Sequence, residues 1–285
     1  MKCVTAMSSK KLPLISVLMG VLYRRESTDV LKRSVQSIQN QTYQNLELLI
    51  CDDGSTETAH RYLDETADQD RRIRLIRGCP NTDLASKLNW CLARAEGSYI
   101  ARMDDDDWSE PLRFEKQSRA LENDPTIAFV GCNVRLWKDG HIVGIRELPE
   151  QPGIRDFLFV QPYVHPTLMF RRQVLEAVEG YCESSRCLGC EDYDLLLRLY
   201  EAGFIGINIQ EPFLVYTLPS FFEKKRTMAL RWNEGKTRWV RFKALGLLPG
   251  ALPYVIKPLL VGLLPDSFLA KMKEMTKRAH HEIGL

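Results

Sequence analysis

Two hydrophobic periodicities alternate along the first half of the chain. Leu14-Ile-Ser-Val-Leu-Met19 is a continuous apolar run of strand length, followed by Gly20 and a polar loop, Tyr23-Arg-Arg-Glu26. Ser27 or Thr28 can then cap a helix whose apolar face is Val30, Leu31, Val35 and Ile38. Leu46 to Cys51 reads as a second strand, ending in Asp52-Asp53-Gly54-Ser55-Thr56, and the next helix presents Ala59, Tyr62 and Leu63. Ile73 to Ile76 is a third strand. Leu84, Leu88, Cys91, Leu92 and Ala95 mark a further helix, with Gly97 as its stop. Tyr99 to Met103 is a fourth short strand, and it runs into four consecutive aspartates, Asp104 to Asp107, before Trp108.

Strand–helix alternation with strands apolar on both faces predicts a parallel sheet covered by helices. Ligands of such sheets bind beyond the carboxyl ends of the strands. Gly20 to Arg25, Asp52 to Thr56 and Asp104 to Asp107 all fall at that one edge. Beyond Trp108 the pattern predicts a helix from Ser109-Glu110-Pro111, a strand over Ile127–Cys132 and a hairpin over Leu136–Ile145 centred on Asp139-Gly140. A strand over Tyr163–Arg171 entered through His165-Pro166 follows, then a helix opened by Glu191 and Asp192, and short strands over Ile205–Ile209 and Phe213–Tyr216.

The chain has 285 residues, 45% of them hydrophobic, enough for one large α/β domain or two small ones. Met1 to Lys11 lacks the apolar core of a secretory signal, and the eight cysteines are scattered through apolar patterns. Both features predict a cytoplasmic protein with reduced thiols. Cys182, Cys187 and Cys190 contain a C-x-x-C, but no fourth ligand at zinc spacing accompanies it. The net charge of +2 conceals an asymmetry: residues 219–285 hold thirteen lysines and arginines against five acids, so the tail carries +8 and the body −6. Within that tail, Ala244 to Pro265 is strongly apolar but interrupted by Pro249, Pro253, Pro258 and Pro265. A spanning helix needs about 20 apolar residues in a row. The segment 221–278 instead suits peripheral attachment to an anionic inner leaflet, a helical lid over its own domain, or a dimer interface.

Four adjacent carboxylates repel one another and are costly to desolvate unless a cation neutralises them, and hard oxygen ligands suit Mg²⁺ or Mn²⁺. The same acids could also form a solvated turn before the next helix. Asp52 and Asp53 could accept hydrogen bonds from a base or ribose, or simply build an Asp-Gly turn. Lys87 could meet a diphosphate or be solvated. His165 could touch a metal or phosphate, or be a bonded turn residue. Glu191 and Asp192 could cap their helix or supply a general base. The single Gly20 after the first strand is too little for a dinucleotide fingerprint, and no P-loop is present. No feature points to nucleic acid.

These segments resemble one family. Ser16-Val-Leu-Met-Gly20, Ser37-Ile-Gln-Asn-Gln-Thr-Tyr43, Glu47-Leu-Leu-Ile-Cys-Asp-Asp-Gly-Ser-Thr56, Asn89, Gly97 to Asp107, Pro111 with Gln117, His165-Pro-Thr-Leu-Met-Phe-Arg171 and Glu191-Asp-Tyr-Asp-Leu195 match, in order, the inverting nucleotide-sugar glycosyltransferases of family two. The resemblance spans residues 12–216. It implies a single GT-A domain over 12–218, Rossmann-like with a mostly parallel central sheet flanked by helices, and a helical extension over 219–285. It further implies that Gly20, Val21, Tyr23, Asp52, Asp53, Lys87, Asp104 and Asp105 bind the nucleotide sugar, with Tyr23 stacking on the base. Asp104 and Asp106 hold the D-x-D positions and, with His165, would bind Mn²⁺ or Mg²⁺. Asp192, supported by Glu191, would be the general base of a single displacement with inversion. The implied donor is a UDP- or dTDP-sugar, the acceptor a glycan or lipid-linked glycan of polysaccharide assembly. Two stretches depart from the family's pattern, the loop after Met19 and Asp83 where glycine is common; both touch the nucleotide pocket. A regulator on the same fold and a nucleotidyltransferase are the competing classes. The intact acids speak against the first and the missing glycine-rich basic loop against the second.

Overall fold

The structure, a computed structural model, describes residues 12–79, 83–218 and 227–264. These form two compact units: one comprises 12–183 and 191–218, the other 184–190 and 227–264. The first unit begins with β1 (Ile15–Val21), α1 (Asp29–Gln39), β2 (Leu46–Asp52), α2 (Glu57–Gln69), β3 (Ile73–Ile76), α3 (Leu84–Leu92) and β4 (Tyr99–Arg102). It continues through β5 (Trp108–Ser109), α4 (Arg113–Asn123), β6 (Ile127–Lys138), β7 (His141–Arg146), β8 (Met169–Arg171), α5 (Arg172–Ala177), α6 (Glu191–Glu201) and β9 (Ile205–Thr217). The nine strands among the described residues join one sheet in the order β3-β2-β1-β4-β8-β6-β9-β5, with β7 paired to β6.

From β3 to β4 every pairing is parallel, as the sequence pattern requires. Each residue of β2 is buried, including Glu47 and Asp52, which interrupt its otherwise apolar run. Ile15, Val17, Met19, Leu48 and Ile50 pack with Leu31, Val35 and Ile38 of α1 and Ala59 and Leu63 of α2. The alternate positions face α3, where Leu84 Cδ1 would lie 3.0 Å from a Cβ on Gly20. Past β4 the sheet is mixed: β8 is antiparallel to β4 and to β6, whereas β9 runs parallel to β6.

Several boundaries differ from the sequence expectation. Helix α3 ends at Leu92, so Gly97 does not cap it. A Cβ there would sit 2.6 Å from Ser16 N, and the residue's own N–H donates to Ser16 Oγ at 2.8 Å. Glycine is needed because two chain segments nearly touch. Ser16 Oγ in turn donates to Glu47 Oε1 at 2.6 Å, and Arg74 Nη1 lies 2.7 Å from Glu47 Oε2. Burial pulls the Glu47 carboxyl up, but these donors and the Glu96 N–H outweigh it and leave it below its ordinary range. Ser109 starts no helix; it pairs in β5 with Leu214 of β9, and α4 opens only at Arg113. The hairpin is present, with Asp139 and Gly140 at φ of 47° and 89° as a tight right-twisted turn demands. Of the strand expected over 163–171 only Met169–Arg171 remains, because His165–Thr167 forms a 3-10 turn. The two strands expected after α6 are one, Ile205–Thr217, aligned along nearly all of β6 with irregular register at Cys132 and Asn133.

The second unit holds α7 (Met228–Ala244) and α8 (Leu252–Leu263), with the segment Ser184–Cys190. Thr237 Oγ1 donates to Arg186 O at 3.3 Å and Asn233 Nδ2 to Leu188 O at 3.3 Å. Cys190 Sγ lies 3.4 Å from Thr237 Oγ1, so its thiol is engaged by α7. No helix among the described residues is long and apolar enough to cross a membrane. The basic residues Lys271, Lys273, Lys277 and Arg278 lie outside the described residues.

Candidate active site

The aspartate run leaves β4 at the carboxyl edge of the sheet and re-enters it at β5, so both ends of the loop are strand-anchored. Arg113 braces those ends. Its fully buried guanidinium donates to Arg102 O at 2.8 Å on one side and to Ser109 Oγ at 2.8 Å on the other. Its Nε donates to Gln117 Oε1 at 3.1 Å, and Gln117 Nε2 donates to Thr167 O at 2.6 Å. Burial lowers the Arg113 pKa to about 10. Inside the loop, Ser34 Oγ of α1 donates to Asp104 O at 2.7 Å and Thr217 Oγ1 of β9 to Asp106 O at 2.6 Å. The Thr217 N–H donates to Asp107 Oδ1 at 2.7 Å, and Arg102 pairs with Asp104.

One carboxylate oxygen from each of Asp104, Asp106 and Asp107 lies within 4.8 Å of the other two. Asp107 is 1% exposed, and its Oδ2 is buried with no hydrogen-bond partner. Burial, then repulsion from Asp104 and Asp106, pushes the Asp107 carboxyl well above its ordinary value. Asp105 is pushed up to about 7 by burial, Asp106 and Asp104. A triad of acids with one buried, unsatisfied oxygen is the donor set a hard divalent cation takes. The residues fit such an ion.

The loop borders a cavity of about 700 Å³ lined by Gly20, Leu22, Arg25, Leu84, Asp104, Asp105, Asp106, Tyr216, Thr217 and Leu218. Tyr216 has its phenol raised to about 12, by burial first and then by Asp107, Asp104 and Asp106.

On the α6 side, Asp192 Oδ2 accepts from Gln161 Nε2 at 2.9 Å and Oδ1 accepts from the Tyr193 N–H at 2.8 Å. Tyr181 OH is 2.9 Å from His165 Nε2, and Asn89 fixes the Tyr181 backbone with two hydrogen bonds of 2.8 Å. Burial raises the Tyr181 phenol; Arg102 acts against it, and Asp192, Asp104 and Glu191 act with it. One buried hydroxyl therefore senses both acid clusters.

The chain carries the family model of glycosyl transferase family 2 over residues 19–178. It is 35% identical over 258 residues to the putative glycosyltransferase EpsE of Bacillus subtilis, covering 90% of this chain and 92% of that one. The chain belongs to glycosyl transferase family 2. The O-antigen biosynthesis glycosyltransferase WbnJ of Escherichia coli is 36% identical over 230 residues, covering 78% of this chain and 87% of WbnJ. Solved structures share the fold. S. aureus TarS 1-349 in complex with UDP-GlcNAc superposes with a TM-score of 0.66 at 13% identity, covering 85% of this chain and 72% of the other. The mannosyltransferase PcManGT from Pyrobaculum calidifontis, in complex with GDP-Man and Mn²⁺, gives 0.59 at 19%, covering 93% and 80%.

Within this family 2 domain the structure gathers some of the expected residues and separates others. Gly20, Asp104, Asp105 and Asp106 line the cavity; Asp53 and Asp192 are not among its walls. Tyr23 is not available to stack on a base: it is 4% exposed in the core, and its hydroxyl donates to Ser27 O at 2.8 Å. Val21 is fully buried, and its carbonyl accepts from Lys87 Nζ. Lys87, 2% exposed, is therefore neither solvated nor aimed at a diphosphate; it also donates to Asp53 O at 3.4 Å and ties the ends of β1 and β2 together. The Asp52 carboxylate is used inside its own turn, accepting from Ser55 Oγ with His60 Nε2 at 2.9 Å. His165 joins no ligand cluster among the described residues. Burial, reinforced by Arg102, holds it well below its ordinary pKa, and Tyr181 takes its Nε2. Asp107, Leu22, Arg25, Tyr216 and Thr217 are additions the sequence reading missed. Arg25 and Leu22 lay in the flagged loop after the first strand; nothing local in sequence marked Tyr216 or Thr217.

Proposed function

We propose that this family 2 glycosyltransferase moves a sugar from a nucleoside diphosphate sugar to a hydroxyl of a growing, lipid-linked surface glycan, with inversion. The observation that carries the reading is the triad Asp104, Asp106 and Asp107 beside the 700 Å³ cavity, with the buried Asp107 Oδ2 left without a partner. These three residues would hold Mn²⁺ or Mg²⁺, which when bound offsets the charge that develops on a departing diphosphate. PcManGT in complex with GDP-Man and Mn²⁺ supports that assignment, and the likeness to EpsE and WbnJ supports the polysaccharide setting.

The chain's own residues supply the rest. Arg25 at the cavity wall is the cation nearest to hand for a diphosphate, the role first expected of Lys87. Leu22 and Leu84 offer apolar surface to the nucleoside. Asp192, held by Gln161 and the Tyr193 N–H, takes the proton of the acceptor hydroxyl as that oxygen attacks the anomeric carbon. Attack from the face opposite the leaving diphosphate inverts the centre. UDP- and dTDP-sugars are the donors we expect, and the inner face of the membrane, where lipid-linked glycans are extended, is the expected place of action.

Thermal-shift titration with a panel of nucleoside diphosphate sugars, with and without Mn²⁺, tests this. Binding at 100 times Kd stabilises the native state by about 2.7 kcal/mol. One donor class should raise Tm only when Mn²⁺ is present, and Asp106→Ala should lose the Mn²⁺-dependent part. Equal shifts with and without metal in both proteins would overturn the metal assignment; no shift with any sugar nucleotide would overturn the donor class.

A further inference from the structure

Helices α7 and α8 form a pair whose inner face is closed by Phe242, Val255 and Pro258. Among the described residues nothing closes their outer face. On α7, Trp232, Lys236, Trp239, Val240 and Lys243 recur at helical spacing, with Trp232 53% and Trp239 48% exposed. On α8, Leu252, Ile256, Leu260 and Leu263 do the same, reaching 73% exposure at Leu263. An apolar-walled groove of about 410 Å³ runs between the two tryptophans and Leu252, Ile256 and Leu259.

The charge on this pair is one-sided. Lys236 and Lys243 lie exposed on the α7 stripe, and Glu234, the one acid among the described residues of the two helices, is bound to the buried Arg238 at 3.0 Å. Lys236 sits 5.7 Å above the Trp232 ring, placing a cation at the rim of the apolar stripe. Tryptophan and lysine bordering an aliphatic stripe is the arrangement that settles at a membrane–water interface, rings at headgroup depth and ammonium groups at the phosphates. A two-fold partner copy would bring to Lys236 and Lys243 no described acid of these helices other than Glu234, which already pairs with Arg238. Residues 265–285 hold Lys271, Lys273, Lys277 and Arg278 against Asp266, Glu274 and Glu282, so this stretch brings no net negative charge to the rim.

We propose that the α7–α8 face docks on the surface of an anionic phospholipid bilayer, seating Trp232, Trp239, Ile256 and Leu260 among the headgroups. Neither helix spans the bilayer. The inference is independent of the donor chemistry proposed above, and its test uses no sugar nucleotide.

The full chain is sedimented with phosphatidylcholine vesicles, with and without phosphatidylglycerol, while tryptophan emission is recorded. Binding should require phosphatidylglycerol, weaken at high salt and shift the emission to the blue. Each cation at such a surface contributes enough that Lys236→Glu with Lys243→Glu should lower the partition coefficient by about tenfold or more. Trp232→Ser with Ile256→Ser should remove most of the blue shift while thermal melting stays unchanged, since both side chains are exposed. A chain that stays in the supernatant at low salt overturns the proposal, as do two double variants that both sediment like the parent. A dimer in light scattering that dissociates in the Trp232→Ser, Ile256→Ser variant would assign the face to a second copy and overturn it too.

Discussion

At Asp192 the two carboxylate oxygens have separate partners, Tyr193 N–H on Oδ1 and Gln161 Nε2 on Oδ2. Asparagine keeps the shape but must turn an NH₂ toward one of those donors, and it cannot accept a proton. Asp192→Asn should therefore leave donor affinity within about twofold and lower kcat by about 10² or more, as expected when a general base is removed. Calorimetry and initial rates separate the two; near-parental turnover would take Asp192 out of the role. The grouping of Asp104 and Asp106 at the sheet edge is legible in the sequence because the acid run directly follows a buried strand. Asp107 was not singled out, since it owes its orientation to the backbone of Thr217, about a hundred residues downstream. The ligand roles that the resemblance implies for Tyr23, Lys87 and His165 lack a local check for a related reason. Each has a chemistry that suits a ligand, and only tertiary neighbours reveal that its polar atoms are already taken.

Among the elements, the loop between β4 and β5 depends on Arg113, which gathers Arg102 O, Ser109 Oγ and Gln117 Oε1 with one planar fork. Lysine keeps the charge but cannot reach three acceptors in that geometry. Arg113→Lys should cost about 2–3 kcal/mol, because buried acceptors lose partners that water cannot replace. A urea midpoint shift measures that cost. Weaker Mn²⁺ affinity in the presence of UDP should accompany it; a destabilised variant with parental Mn²⁺ affinity would show that the brace serves the fold alone. The pattern from β1 to β4 was readable because those strands are buried on both faces and their helices keep a 3.6 period. β5 was not: two residues become a strand only by pairing with Leu214 and Val215. In the irregular half of the sheet the strands are readable but their extents are not, since register shifts at Cys132 and Asn133 break the alternation.

For the whole molecule, the two units interleave along the chain. The acids at the candidate site all lie before residue 219, which invites a shortened chain ending at 218. Yet Ser184–Cys190 belongs with the helical unit, where Arg186 O, Leu188 O and Cys190 Sγ have their partners on α7. A Cβ on Gly189, at φ of 78°, would lie 2.8 Å from Leu230 Cδ2, so that segment is packed closely against its own unit. Removing 219–285 deletes every one of those partners and leaves the residues immediately before Glu191 and Asp192 unsupported. Loss of three hydrogen-bonded contacts and their packing amounts to about 2–3 kcal/mol, which for a domain of this size is a fall in Tm of about 5–10 °C. Turnover on a water-soluble acceptor should fall as well, by about tenfold, while Mn²⁺-dependent donor binding at the aspartate loop persists, because Asp104, Asp106 and Asp107 are braced from α1, α4 and β9. Scanning calorimetry, calorimetric donor titration and rate measurements on residues 1–218 distinguish the outcomes. A shortened chain with unchanged Tm and unchanged turnover would mean that the segment before α6 holds its conformation without the helical unit.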